Sequence, residues 1–186
     1  MSQLDYEINK ELGECYLFMG ELDKAEEYYR KAASSNGVHP DPYLGLATIA
    51  VQRGAMDDAL TLYRKAESIE ASDKSLGGVG LVLMELGKHE EALDCFIRAL
   101  EHNPQNLVIT NAAVQEAHFL NRLSDILPCL ESALSLNPEL SAVRFALAGC
   151  LVHLERKGEA RAHLETLLSF SPDNVEAREL YEAIAE

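Results

Sequence analysis

Residues 79–104 read VGLVLMELGKHEEALDCFIRALEHNP, and the placing of small and large side chains in that stretch decides the fold. Apolar residues recur at helical spacing on both sides of Gly87: Val79, Val82 and Leu83 before it, then Ala92, Phe96 and Ala99 after it. Gly87-Lys88-His89 ends one helix and opens the next, because glycine adopts the left-handed conformation of a helix C-cap without steric cost. Pro104, preceded by the polar Asn103, closes the second helix, since proline disfavours helical backbone in the residue before it. The stretch is one helix, a tight turn and a second helix.

Outward from it, the same unit returns along the chain. Ala25, Ala59, Ala92, Ile126 and Ala160 occupy one position, spaced 34, 33, 34 and 34 residues apart. Gly13, Ala47, Gly80 and Ala148 are the small residues of first helices, placed where two helices approach closely. Tyr16, Leu83 and Leu151, with Tyr29, Tyr63 and Phe96, are the large residues that fill the space between neighbouring hairpins. Turns are expected at Gly20, Gly54, Gly87 and Asn121, with a less regular one in the fifth unit, where Gly158 falls late. Pro138 and Pro172 repeat the stop at Pro104, and Pro128 reads as a local bend near the start of its helix. One hairpin cannot bury its own apolar face, so the units must stack.

This pattern of small residue, large residue, alanine and closing proline at a period near 34 resembles the tetratricopeptide repeat over nearly the whole chain. The family's early aromatic is present as Tyr43 but replaced by Asn9, Leu76, Thr110 and Arg144 in the other units, and closing prolines are missing at Gly37 and Ala71. The resemblance implies an all-α, right-handed α-solenoid of five hairpins plus a capping helix. The expected repeats are residues 6–39, 40–72, 73–106, 107–140 and 141–174, with the cap at 175–186, in a single domain over 1–186.

Composition narrows the function. The 186 residues are 47% hydrophobic and 25% charged, ordinary for a chain with a packed core. Sixteen Lys and Arg against 31 Asp and Glu leave a formal charge of -15, which repels nucleic-acid backbones and anionic lipid surfaces and favours a neutral or basic protein or peptide partner. No segment is apolar enough to span a bilayer, and the start from Met1 lacks the basic and hydrophobic regions of a secretory signal. Cys15, Cys95, Cys129 and Cys150 are scattered and read as mostly buried thiols of a cytoplasmic protein.

No phosphate loop, nucleophile elbow or dinucleotide fingerprint occurs, so no catalytic residue and no cofactor are expected. His118 and His153, with Cys150 three residues before the second, fall short of the three or four ligands a transition metal takes; they read as groove-lining residues, with no metal. The acidic runs Glu26-Glu27, Asp57-Asp58 and Glu90-Glu91 read as solvated charge at helix starts, not acid–base pairs.

The family geometry implies that first helices form a concave inner wall. Helical spacing then assigns Lys10 and Glu14 to it from the first unit, Leu44 and Thr48 from the second, and Lys74, Leu81 and Met84 from the third. The fourth adds Asn111, Gln115, His118 and Phe119, and the fifth Phe145 and His153. Gly45, Gly77, Gly78 and Gly149 lie in helix interiors at about 1 kcal/mol each relative to alanine, which implies either close approach of a ligand or tight helix packing. The clamp by which chaperone-binding relatives hold a C-terminal carboxylate is broken: Lys10 and Lys74 match it, but Glu14, Gly45 and Gly78 do not. The expected function is a non-catalytic scaffold that takes a peptide or helix in this groove. The alternatives are the accessory region of a larger enzyme, such as a bacterial glycosyltransferase, and a self-assembling repeat protein.

Overall fold

The computed structural model describes residues 3–35 and 38–184, which leaves Met1, Ser2, Asn36, Gly37, Ala185 and Glu186 outside the described residues. Among these the chain forms eleven α-helices and no strand. They are α1 (Gln3–Phe18), α2 (Leu22–Ser35), α3 (Asp41–Gln52), α4 (Met56–Ile69), α5 (Asp73–Glu85) and α6 (His89–His102). There follow α7 (Leu107–Phe119), α8 (Leu123–Leu136), α9 (Ser141–His153), α10 (Lys157–Phe170) and α11 (Val175–Ala183). The chain divides into two compact units, Met1–Ala99 and Leu100–Glu186.

Each hairpin turn is closed by one device. Gly20, Gly54 and Gly87 have φ of 76°, 74° and 72°, and Asn121 has 56°. The next residue donates its N–H back to the carbonyl five positions earlier, as Glu21 does to Tyr16 (2.9 Å) and Lys88 to Leu83 (2.9 Å). These are Schellman closures, which satisfy the free carbonyls of a helix end. The fifth turn departs from expectation. It is as regular as the others, but its left-handed residue is Glu155 (φ 59°), with Arg156 N–H bonded to Leu151 O at 2.8 Å. Gly158 lies within α10 instead.

In the first unit α2 packs on α1 and α3, α4 on α3 and α5, and first helices also meet, α1 with α3 and α3 with α5. The glycines show what sets the helix spacing. An ideal Cβ on Gly45 would fall 2.3 Å from Tyr29 Cζ, and one on Gly13 would fall 2.9 Å from the same ring. Tyr29 is thus wedged between two helices that both present glycine to it. Tyr63 is received in the same way by Gly78 (2.4 Å) and Phe96 by Gly80 (2.5 Å). On the outer surface Arg53, the C-cap of α3, bonds Asp23 (2.6 Å) and Glu26 of α2, and Glu26 also holds Arg30. Glu26 is therefore a paired carboxylate, held below its usual pKa by the Arg53 guanidinium, where the sequence suggested solvated charge.

In the second unit Ile126, Leu130, Leu147, Leu151 and Leu164 are almost completely buried, each contributing about 1.5–3 kcal/mol by transfer from water. The expected cap is present: α11 places Ala177, Leu180, Tyr181 and Ile184 on a cluster with Ala148, Leu164 and Leu167. Arg144, standing where an early aromatic is usual, is buried; its Nη2 donates to Pro138 O (2.6 Å) and its guanidinium lies 6.0 Å from the Phe170 ring. Arg178, one period on, donates to Pro172 O in the same fashion. Pro128 sits past the first turn of α8, on its exposed side, and the helix continues through it.

Candidate functional site

Each unit carries a pocket on the side of its first helices, built where one hairpin meets the next. In the first unit α3, α4 and α5 enclose about 350 Å3 lined by Val51, Met56, Tyr63, Gly78, Leu81, Val82, Met84 and Glu85. In the second, α7, α8 and α9 enclose about 510 Å3 lined by Val114, Gln115, His118, Leu123, Phe145, Ala146, Gly149, Cys150 and His153.

The two are one pocket in repeat register. Two periods separate Val51 from His118, Met56 from Leu123, Leu81 from Gly149, Val82 from Cys150 and Glu85 from His153. The volumes differ for a visible reason. Tyr63 projects into the first pocket, whereas its counterpart Leu130 is shorter and buried; Leu81 also gives way to Gly149, where an added Cβ would meet nothing within 4 Å.

Of the residues assigned from sequence, Leu81 and Met84 line the first pocket, and Gln115, His118, Phe145 and His153 line the second. Leu44 and Thr48 are half-buried beside the first rather than lining it. Thr48 Oγ1 donates to Leu44 O (3.0 Å), which leaves Tyr63 OH to donate to Thr48 Oγ1 at 3.3 Å and fixes the ring at the pocket wall. Lys10 is tied to Glu7 at 3.2 Å, while Glu14, Lys74 and Asn111 are exposed and line neither pocket. Phe119 is 67% exposed and stands apart from the second pocket.

Sequence reasoning missed the floor. Met56 and Leu123 come from second helices, each two residues beyond the left-handed turn residue. That position was a readable signal, since Leu22 occupies it too. Two of the four helix-interior glycines have a visible packing role. Gly45 and Gly78 are packing glycines against tyrosine rings, and Gly149 alone of these three faces open space.

The chemistry available is recognition. The His118 and His153 rings meet edge-on, with centroids 4.8 Å apart and 66° between planes. Beneath them the Cys150 thiol is pushed up to about 11 by burial, so at neutral pH it is neither a nucleophile nor a thiolate ligand. Among the described residues no group of three or more His, Cys, Asp or Glu is placed to hold a metal ion. Cys15, in contrast to the expectation of mostly buried thiols, is exposed, and Cys129 is half-buried. No helix among the described residues is long and apolar enough to cross a membrane.

Comparison with known proteins agrees with this geometry. The BBSome complex member BBS4 of Bos taurus is 28% identical over 121 residues, which cover 63% of this chain and 23% of that protein; the chain thus spans about a quarter of its length. The crystal structure of MamA superposes with a TM-score of 0.68 at 15% identity, covering 92% of this chain and 94% of that one. The first tetratricopeptide domain of Spaghetti (RPAP3), bound to the HSP90 peptide SRMEEVD, superposes over 65% of this chain and 97% of its own, with a TM-score of 0.61 at 24% identity. Three tetratricopeptide-repeat profiles match residues 10–75, 74–106 and 120–184. The chain belongs to the tetratricopeptide repeat family.

Proposed function

We propose that this chain is a non-catalytic scaffold that holds a peptide or helical segment of a partner protein on the side of its first helices. The observation that carries the reading is the pocket repeated in register in both units, apolar at its floor and polar at its rim. Apolar floors take side-chain anchors, and rim groups such as Gln115, His118 and Glu85 fix orientation. BBS4 is by name a member of a complex, and the RPAP3 domain is bound to a peptide, which supports the same class of role here.

A neutral or basic partner suits a chain of charge -15, in the cytoplasm. A heat-shock-protein tail does not suit it. Glu14 repels a terminal carboxylate, and Gly45 and Gly78, buried against tyrosines, offer no side chain to bind one. The test uses the chain as bait beside Leu81→Arg with Phe145→Glu, both at half-buried pocket walls, Phe145 also packing against the Ala148, Leu164 and Leu167 cluster. A partner kept by the native chain and lost by the variant, at unchanged helicity, supports the assignment. Equal capture by both places binding elsewhere and overturns it.

A further inference from the structure

The two pockets share a register, but the first carries an aromatic ring of its own. Tyr63 reaches from α4 to the pocket wall, lies against Gly78 and donates its hydroxyl to Thr48 Oγ1 at 3.3 Å. Two periods on, that ring is gone. Leu130 stands in its place and is buried in the core, and Ala146 stands where Gly78 received the ring. Leu81, a wall of the first pocket, gives way to Gly149, where an added Cβ would touch nothing within 4 Å.

The groups that would serve a ring remain. Gln115 stands in the register of Thr48; it is exposed and makes no hydrogen bond among the described residues. Val114, Leu123 and Phe145 supply apolar walls, and the edge-on pair of His118 and His153 supplies an aromatic one. The second pocket holds about 510 Å3 against about 350 Å3 for the first. The surplus is on the order of the roughly 150 Å3 that admits a benzene ring.

On the reading that these pockets bind a partner, we propose that the second takes the side chain of a tyrosine presented by another protein. The ring lies over Gly149, and the hydroxyl bonds the Gln115 carboxamide as Tyr63 bonds Thr48. A phenylalanine fills the same space but gains nothing from the carboxamide, and a leucine also forgoes the aromatic contacts with the two histidines. A second copy of this chain does not supply the residue, because all seven of its tyrosines are buried or half-buried. Further hairpins of the same array do not fill the pocket either. Each repeat packs only on its neighbours, so added units would cover terminal helices, whereas α7, α8 and α9 have hairpins before and after them.

The probes are N-acetyl-tyrosinamide and N-acetyl-phenylalaninamide, titrated into the isotope-labelled full chain and followed by amide chemical shifts. Both are expected to shift the amides of Gln115, Gly149, Cys150 and His153. Tyrosinamide should bind about fivefold more tightly, the worth of one neutral hydrogen bond. Gln115→Leu, at an exposed position, brings tyrosinamide down to the phenylalaninamide level. Gly149→Leu restores the side chain that the first pocket has, fills the space and removes binding of both amides at unchanged helicity. Equal affinities, a preference that survives Gln115→Leu, binding that survives Gly149→Leu, or no shift at these amides overturns the proposal. The pocket reading is judged apart from it, by partner capture with the Leu81→Arg, Phe145→Glu chain. Capture lost in that chain while tyrosinamide fails here removes the tyrosine and keeps the pocket.

Discussion

Replacing Gly45 by alanine sets two effects against each other, and the structure decides the sign. Alanine in a helix interior is worth about 1 kcal/mol over glycine. Against it, the new Cβ falls 2.3, 2.4 and 2.5 Å from three atoms of the Tyr29 ring, where carbon atoms prefer about 3.5–4.0 Å. The ring has nowhere to go, since Tyr29 is 3% exposed and its other side rests on Gly13. Overpacking of this kind costs about 1–3 kcal/mol, so Gly45→Ala is expected to lose about 1 kcal/mol net. In a chain of this size that lowers the melting temperature by roughly 2–4 °C. Gly149→Ala is the control: with nothing within 4 Å of its Cβ, it gains about 1 kcal/mol. Urea unfolding followed by circular dichroism measures both. In the double variant Tyr29→Leu, Gly45→Ala, the alanine loses most of its penalty because the shorter side chain yields room. If Gly45→Ala stabilises the chain as Gly149→Ala does, the wedge account is wrong.

Glu155→Gly is expected to stabilise by about 1 kcal/mol in the same assay, because a non-glycine residue held at φ 59° carries left-handed strain. His163 is lowered from its usual 6.5, first by burial and then by the Arg144 guanidinium, whose Nη1 donates to Nδ1 at 3.3 Å. A depressed histidine supplies stability that is present above pH 6.5 and lost as pH falls through its folded value; His163→Gln should flatten that acid limb of a stability–pH curve. Tyr29, raised by burial from 10.0 to about 12, acts with the opposite sign: its contribution is whole below pH 10.0 and disappears as pH climbs toward 12. Tyr29→Phe should therefore resist alkaline unfolding in that window better than the native chain.

The hairpins were legible because their signals are local. Period, turn glycines and closing prolines each act within a few residues, and the capping helix at Val175 declares itself by its own amphipathic pattern. Glu155 was not legible, since its left-handed state is imposed by the hairpin around it against its own preference. Among candidate site residues, Leu81, Met84, Gln115, His118, Phe145 and His153 followed from helix faces, as each projects from a first helix into a pocket. Met56 and Leu123 escaped because the groove was read from first-helix faces alone, whereas both stand at the start of second helices, two residues past the left-handed turn residue. Lys10 is tied to Glu7 three residues before it, a pairing that helix spacing itself favours.

The ring of Tyr29 lodged against Gly45 bears on how such a chain can change over generations. A tyrosine on one hairpin is tolerated only while the next hairpin keeps a glycine 16 residues later, and Tyr63 is bound to Gly78 by the same condition at 15. A hairpin copied or moved within the gene would arrive with its knob but without the matching hole. Descendants of this sequence are therefore expected to alter the two positions in tandem, with a smaller side chain at one permitting a larger one at the other.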